Sequence, residues 1–186
     1  MLTQPMIKKA FLHLDMHTEY SLGDSIVRVK ELVETAKSMS MPAVAMTDLS
    51  NLYGGIKFIR ACIDHGVKPL LGVDVEVVEN NGMPQGRLIL LCRNNAGYQH
   101  VCELLTNAYT LDADSATVTI EFSELSKGCG DLIAISPSID GAIGKLMCSG
   151  KSDQAEVIAD NLSQIFSDAF YLEITRTNRR GEEEYE

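Results

Sequence analysis

The chain has 186 residues, of which 45% are hydrophobic, and it carries a formal net charge of −10 with an isoelectric point near 4.8. This length and apolar content are typical of one folded domain with a sizeable core, and they exclude an extended disordered chain. The acidic balance argues against a surface built to hold phosphate backbones, because that affinity comes from clustered lysine and arginine. We therefore expect weak or no binding of nucleic acid.

The cysteine pattern and the apolar runs indicate the compartment. Five cysteines are present, an odd number without CxxC spacing, so neither disulfides nor a structural zinc ion is expected. The amino-terminal apolar run is interrupted by His13 and Asp15, which does not fit a secretory signal. No stretch approaches the roughly 18 apolar residues that a membrane helix needs. We expect a cytoplasmic protein without a membrane partner.

Strand and helix patterns alternate from the first residues onward. AFLHLD (10–15) and AVAMT (43–47) predict two strands, and each precedes a predicted helix, near 25–39 and 54–65 respectively. Asp24 is the predicted N-cap of the first helix, while the second is expected to stop at Gly66. The remaining predicted elements are strands at 68–78 and 86–93 joined by a turn at Asn81-Gly82, a helix near 96–109 capped by Asn95, an irregular linker over 112–119, a strand at 131–136, helices near 140–148 and 153–166, and a strand at 170–175.

This order predicts a largely parallel sheet or barrel with helices outside, since parallel strands need crossover helices. The Asn81-Gly82 turn adds one antiparallel hairpin to that plan. The last predicted strand is followed by RTNRRGEEEYE, which is typical of the approach to another crossover helix. We therefore expect this chain to be part of a longer protein.

Polar side chains collect near the predicted strand ends. In HLDMH, the side chains of His13, Asp15 and His17 alternate and so share one face. Imidazole and carboxylate are common ligands of divalent metal ions, although polar residues ending a strand produce the same pattern. Asp48 follows the second strand, at the carboxyl end where α/β proteins build their sites. Asp74 could be structural or functional, and no GxxxxGK[ST], HExxH or GxSxG motif is present.

Four segments together resemble the amino-terminal polymerase-and-histidinol-phosphatase (PHP) domain of bacterial replicative DNA polymerase III α subunits. They are FLHLDMHTEYSLGDS, MPAVAMTDLSNLYGGIKFIRACIDHGVKPLLGVDVEV, LILLCRNNAGYQHV and FYLEITR. The resemblance implies a single PHP domain over 1–186, folded as a distorted (β/α)7 TIM-like barrel that is incomplete at its carboxyl-terminal end. It also implies a parent chain that continues into the palm, thumb and fingers of a DNA-directed DNA polymerase.

The resemblance further implies a vestigial metal site, with several ligands replaced. Its positions are Asp15, His17, Asp24, Asp48, Leu49, Asp74, Arg87 and Ser138. Members with an intact cluster have histidines at positions 15, 49 and 87, a glutamate at 74 and a cysteine at 138. Leu49 and Ser138 therefore remove ligands, and Arg87 introduces a permanent positive charge.

Two consequences are expected from these replacements. We expect this site to hold no metal ion and no catalytic residue. The alternative is a cluster of zinc, manganese or magnesium ions. A pocket of unpaired carboxylates would be unstable, so Arg87 is predicted to pair with some of Asp15, Asp48 and Asp74.

The resemblance leaves two main functions open. The domain is expected to be an inactive scaffold that docks the proofreading exonuclease (epsilon) subunit of the polymerase III core and joins the rest of the α chain. The alternative is a metal-dependent phosphoesterase, either a 3′–5′ exonuclease or a pyrophosphatase, in which metal-activated water attacks phosphorus. A stand-alone small-molecule phosphatase fits YSLGDS and TDLSNLYGG less well.

Overall fold

A computed structural model describes residues 11–78, 86–111 and 118–185 of the chain, which form a mixed α/β fold. The strands within these residues are β1 (Ala43–Met46), β2 (Lys68–Val78), β3 (Gly86–Cys92), β4 (Thr119–Glu121), β5 (Leu132–Ser136) and β6 (Phe170–Leu172). The α-helices are α1 (Val29–Ser38), α2 (Gly55–His65), α3 (Asn95–Leu111), α4 (Ala142–Cys148), α5 (Ser152–Phe166) and α6 (Glu182–Tyr185). None of these helices has the length and apolarity that crossing a bilayer requires.

The six strands form one mixed sheet in the order β1-β2-β3-β5-β6, with β4 beside the second half of β2. The predicted hairpin is confirmed, because β2 and β3 pair antiparallel, while its Asn81-Gly82 turn lies outside the described residues. β5 is also antiparallel to β3, so the sheet is less parallel than predicted. Within the described residues the sheet does not close, and the predicted TIM-like barrel is not confirmed.

The first predicted strand is replaced by an extended segment beside β1. The Ala45 amide donates to the His13 carbonyl at 3.0 Å, and the Thr47 amide donates to the Met16 carbonyl at 2.9 Å. Between these two bonds the amino-terminal segment advances by three residues, from His13 to Met16, while the other segment advances by two, from Ala45 to Thr47. This mismatch interrupts a regular ladder. The prediction of a strand over 10–15 was therefore wrong for 11–15, although the segment lies where that strand was expected.

Two predicted helix caps were also wrong. α1 begins at Val29 with Arg28 in the cap position, four residues later than the pattern indicated, and Asp24 does not cap it. For α3 the capping side chain is Asn94, whose Oδ1 accepts from the amides of Ala96 and Gly97 at 2.8 and 3.1 Å. The ending of α2 was predicted correctly, since Gly66 adopts a left-handed φ of 66°.

Two apolar clusters pack helices against different strands of the sheet. One packs β2, β3 and β5 against α3, α4 and α5, with Leu90 and Leu132 fully buried. The other packs β1 against α1 and α2 around Val44 and Phe58. β4 was missed because its three residues lie next to the polar stretch that the sequence predicted as a linker, of which 112–117 fall outside the described residues.

This topology brings several loops to one end of the sheet. The carboxyl ends of β1 and β5 lie there, and so does the beginning of β3, because β3 runs in the opposite direction. Asp48 follows β1, Arg87 is the second residue of β3, and Ser138 follows β5. The candidate site lies at this end.

Candidate functional site

Five side chains from separate segments meet at this end of the sheet and form what we call the guanidinium cluster. Its members are Asp15, His17, Asp24, Asp74 and Arg87. Asp15 and His17 come from the extended amino-terminal segment, Asp24 from the loop before α1, and the other two from the β2–β3 hairpin. All five are positions of the vestigial metal site predicted from the sequence, and that metal assignment itself stays a prediction.

Arg87 and Asp74 form the centre of the cluster. The Arg87 Nε donates to Asp74 Oδ2 at 2.8 Å, and Nη2 donates to the same oxygen. Asp74 is fully buried, whereas the Arg87 side chain keeps 22% of its surface exposed. The predicted pairing of Arg87 with a residual carboxylate is thus confirmed for Asp74. Burial works against the charge on Arg87, but the bonds to Asp74 raise its pKa further.

His17 bridges the remaining carboxylates of the cluster. Its Nδ1 lies 2.5 Å from Asp24 Oδ2, and its Nε2 lies 3.2 Å from Asp74 Oδ2 and 3.7 Å from Asp15 Oδ1. Burial opposes protonation of the ring, but the hydrogen bonds to Asp74 and Asp24 and the charge of Asp15 raise the pKa of His17 to about 9. The side chain of Asp24 is thus bound to His17, and it does not cap α1.

The guanidinium lies where the possible metal ligands converge. Ligand atoms of Asp15, His17 and Asp74 all lie within 4.8 Å of one another, the spacing of a potential metal site. However, Arg87 Nη2 contacts Asp74 Oδ2 and lies 3.1 Å from His17 Nε2. When His17 is protonated, this last approach is one between two cations that share Asp74. His17 and Asp74 thus already contact the guanidinium of Arg87, and this set of ligand atoms does not fit an additional divalent ion.

Asp48 belongs to a second, separate network. Its Oδ1 accepts from the Thr18 amide and the Ser21 hydroxyl, both at 2.6 Å, and its Oδ2 accepts from the Thr18 hydroxyl at 2.7 Å. All three residues are buried. Asp48 is therefore satisfied by hydrogen bonds within this Asp48 network. Arg87 does not pair with it, although Asp48 was one of the three partners considered from the sequence.

Leu49 and Ser138 lie beside the cluster without joining it by their side chains. The Leu49 amide donates to the Ser21 hydroxyl at 3.0 Å, and its backbone forms a bridge to Asp74. Ser138 is buried, and its hydroxyl makes no hydrogen bond among the described residues. His13, which shares the strand pattern of His17, instead packs its ring edge-on against Phe11 with centroids 4.9 Å apart.

Two further acidic groups near the cluster were not predicted. Burial, followed by the charge of Asp15, raises the pKa of Glu173. The pKa of Asp15, which belongs to the guanidinium cluster, is likewise raised by burial, although the charge of His17 acts in the opposite direction. Asp140 pairs with Arg179 through two bonds of 2.8 and 3.1 Å. Glu173 follows β6, which ends at Leu172, whereas the predicted strand ran over 170–175 and placed Glu173 inside it.

Comparisons with known proteins identify the family of the chain. Residues 13–177 match the family model of the PHP domain. The chain belongs to the PHP family. This PHP domain is 39% identical over 178 residues to the DNA polymerase III subunit alpha of Pseudomonas fluorescens, covering 94% of the chain and 15% of the relative. It is 37% identical over 187 residues to the same subunit of Buchnera aphidicola subsp. Acyrthosiphon pisum, covering 97% of the chain and 16% of that protein.

Among solved structures, the PHP domain is similar to an amidohydrolase from Chromobacterium violaceum, with 20% identity and a TM-score of 0.43. The match covers 64% of this chain and 36% of that one. Relative to the two α subunits named above, the chain spans about a sixth of their length.

Proposed function

We propose that this chain is the amino-terminal PHP domain of a bacterial DNA polymerase III α subunit, and that it is an inactive scaffold for the proofreading exonuclease subunit. The supporting observations are the identity to α subunits over nearly the whole chain and the organisation of the guanidinium cluster. In this proposal the parent chain synthesises DNA in the cytoplasm, and the polymerase palm, thumb and fingers lie outside these residues. The domain itself would close as a seven-unit barrel in the full protein.

The position of Arg87 carries the proposal that no metal-dependent chemistry takes place here. A guanidinium stays protonated at any physiological pH, so it places a fixed charge next to any incoming cation. At about 4 Å, two unit charges repel by roughly 4 kcal/mol even at an effective dielectric of about 20, and a divalent ion doubles this. Leu49 and Ser138 also supply no strong ligand in compensation. The domain would therefore bind neither zinc, manganese nor magnesium as a cofactor.

Retention of the domain then requires a role that does not depend on hydrolysis. The net charge of −10 is unsuited to holding DNA, so a protein partner is the better candidate. We therefore assign to the domain a docking role toward the exonuclease subunit, which would supply the hydrolysis that this site lacks. DNA contact would be left to the rest of the parent chain.

A second function is favoured by one observation, the convergence of Asp15, His17 and Asp74 within 4.8 Å. In that alternative the domain is a metal-dependent phosphoesterase, acting as a 3′–5′ exonuclease or a pyrophosphatase. Arg87 would have to leave Asp74 before these three residues could coordinate an ion. Asp15, His17 and Asp74 would then hold the metal, whose chemistry would be the activation of water.

Metal analysis and binding measurements on the purified protein separate the two functions. The scaffold predicts less than one tenth of an ion per chain after dialysis against zinc or manganese, no hydrolysis of single-stranded DNA or pyrophosphate, and co-elution with the exonuclease subunit. Stoichiometric metal together with phosphoester hydrolysis that Asp15→Asn abolishes would establish the enzyme instead, since Asp15 is one of the three converging residues. Failure to co-elute, with no metal bound, would refute the docking role alone.

A further inference from the structure

Two short 3-10 helices, Phe122–Ser126 and Cys129–Asp131, connect β4 to β5 and contact α3 and α5. We call this stretch the 3-10 segment (122–131). Its Leu125 side chain is fully buried in the apolar cluster that also contains Val101 of α3. A movement of the 3-10 segment away from α3 would therefore expose part of the main core to water.

The 3-10 segment is bonded to the start of α3 at its last residue. There the Arg93 amide donates to the Asp131 carbonyl at 3.0 Å, and the Asn94 Nδ2 donates to Asp131 Oδ1 at 2.6 Å. Between its two 3-10 helices the segment meets α3 at Gly128, which has a left-handed φ of 71°. A Cβ atom at this position would lie 2.9, 3.0 and 3.1 Å from the Cγ, Cδ2 and Nδ1 atoms of His100. The imidazole of His100 thus lies against the Gly128 backbone, at a separation that requires glycine.

The far side of this imidazole has an unpaired polar atom. The Nε2 atom of His100 is buried and makes no hydrogen bond to the described residues. A neutral imidazole can carry its single proton on Nδ1 and leave Nε2 as a bare acceptor. Protonation turns Nε2 into a charged donor, and burying such a donor without an acceptor costs far more than burying the neutral ring.

The charged groups around His100 do not offset this cost. Burial lowers the pKa of His100 below its ordinary value of 6.5, and Lys127 acts in the same direction, whereas Glu103 and Glu124 oppose it. Glu124 already accepts a bond from Lys127 Nζ at 2.7 Å, and Glu103 lies exposed on α3. Within the described residues, α5 places no charged group that acts on the ring.

We propose that His100 is an acid-sensitive latch, which holds the 3-10 segment against α3 while its imidazole is neutral and releases the segment once the ring is protonated. Release lets the Nε2–H group bind water and separates the ring from Gly128. The closed arrangement has its full stability above pH 6.5, where an imidazole in water is also neutral, and this stability decreases as the pH falls further. The contact lies near the start of β5, at the opposite end of that strand from the guanidinium cluster, so the latch is independent of the proposed scaffold function.

Hydrogen–deuterium exchange of the full-length protein, read by mass spectrometry over 122–131 and corrected for the chemical exchange rate, tests this latch between pH 5 and 8. We expect wild-type exchange over 122–131 to be constant from pH 7 to 8 and at least about fivefold faster at pH 5, because the open state binds a proton that the closed state excludes. Exchange in β3 should stay within about twofold over the same range, since the opening is local.

Two variants and a matched control locate the effect at His100. His100→Phe keeps a planar ring against Gly128 and cannot be protonated, so its exchange over 122–131 should be independent of pH. Gly128→Ala forces the ring away, and its exchange should already be fast at pH 7.5. The control, His65→Phe, removes another partly buried imidazole, whose Nδ1 lies 2.8 Å from the Ala61 carbonyl on α2, and it should keep the wild-type pH dependence.

Four outcomes overturn the latch. Wild-type exchange over 122–131 that does not change between pH 7 and 5 would show that no opening is linked to protonation. A wild-type pH dependence retained in His100→Phe would assign the effect to another group. Equal acceleration in β3 would mean that the whole domain unfolds in acid. Wild-type exchange in Gly128→Ala at pH 7.5 would show that the contact with His100 does not hold the 3-10 segment.

Discussion

Replacing Arg87 by methionine isolates the role of the guanidinium, because methionine keeps most of the side-chain length and removes the charge and the donors. In the variant, Asp74 remains fully buried, and its only remaining contact in the cluster is His17 Nε2 at 3.2 Å. The second carboxylate oxygen, Oδ1, already has no partner among the described residues. The substitution therefore leaves a buried carboxylate with one cationic neighbour in place of two.

The size of the effect follows from the burial of this pair. Removing one partner of a buried ion pair typically costs about 3–5 kcal/mol, since the other charge stays buried without compensation. Arg87 is partly exposed and His17 remains in contact with Asp74, so we expect the lower end, about 3 kcal/mol. For a chain of this length, that corresponds to a decrease in unfolding temperature of roughly 6–12 °C.

Urea unfolding of the wild type, Arg87→Met, Asp74→Asn and the double variant completes a thermodynamic cycle at pH 7. The double variant removes both charges, so its loss of unfolding free energy should be smaller than the sum of the two single losses by about 2 kcal/mol, the coupling expected for a close charged pair. A loss below about 1 kcal/mol for Arg87→Met, or additive losses in the double variant, would show that Arg87 does not stabilise the cluster.

Three further predictions concern the neighbouring groups. Because the pKa of His17 is raised from 6.5 to about 9, its stabilisation is complete below about pH 6.5 and is lost as the pH rises through 9. Unfolding free energies from pH 6 to 10 should show this decrease, and His17→Gln should flatten it. Asp15→Asn should increase the free energy of unfolding at pH 7 by up to about 1.5 kcal/mol, because burial disfavours the charged carboxyl. A decrease of the same size in this free energy, measured by chemical denaturation, would contradict the prediction. Asp48→Ala should lower the free energy of unfolding by about 3 kcal/mol and accelerate amide exchange over 18–27, since three donors lose their acceptor. Unchanged exchange over 18–27 would show that Asp48 does not order this loop.

The parts of the site that the sequence predicted are those fixed by charge balance. A permanent cation among acidic residues must be paired, so a bond from Arg87 to some of Asp15, Asp48 and Asp74 was predicted once the resemblance had placed them together, and the structure has it at Asp74. The β2–β3 hairpin was equally predictable, because two apolar runs joined by seven residues that include an Asn-Gly pair favour a tight reversal. The bounds of β2 agree with the predicted range, residues 68–78.

The parts that the sequence did not predict depend on competition between nearby partners. Asp24 was the predicted cap of a helix starting near 25, but its carboxylate contacts the half-buried His17 ring at 2.5 Å, and α1 starts four residues later than predicted. The choice between these two partners depends on a distance that no local pattern records. Similarly, the incomplete TIM-like barrel was implied by the resemblance, and the pairing between distant segments that decides whether a sheet closes cannot be read from periodicity.

The position of Leu49 shows how the site could lose a ligand and keep its shape. Its backbone makes the useful contacts, through the amide bond to the Ser21 hydroxyl and the bridge to Asp74, and these are independent of the side chain. Asp48 differs, since its carboxylate itself accepts the bonds from Thr18 and Ser21 that order the loop before α1. A leucine at 49 therefore removes a possible metal ligand without disturbing this loop, whereas any uncharged, non-accepting residue at 48 would release it. The two adjacent positions are thus under different physical constraints: the loop before α1 depends on the side chain at 48 and does not depend on the side chain at 49.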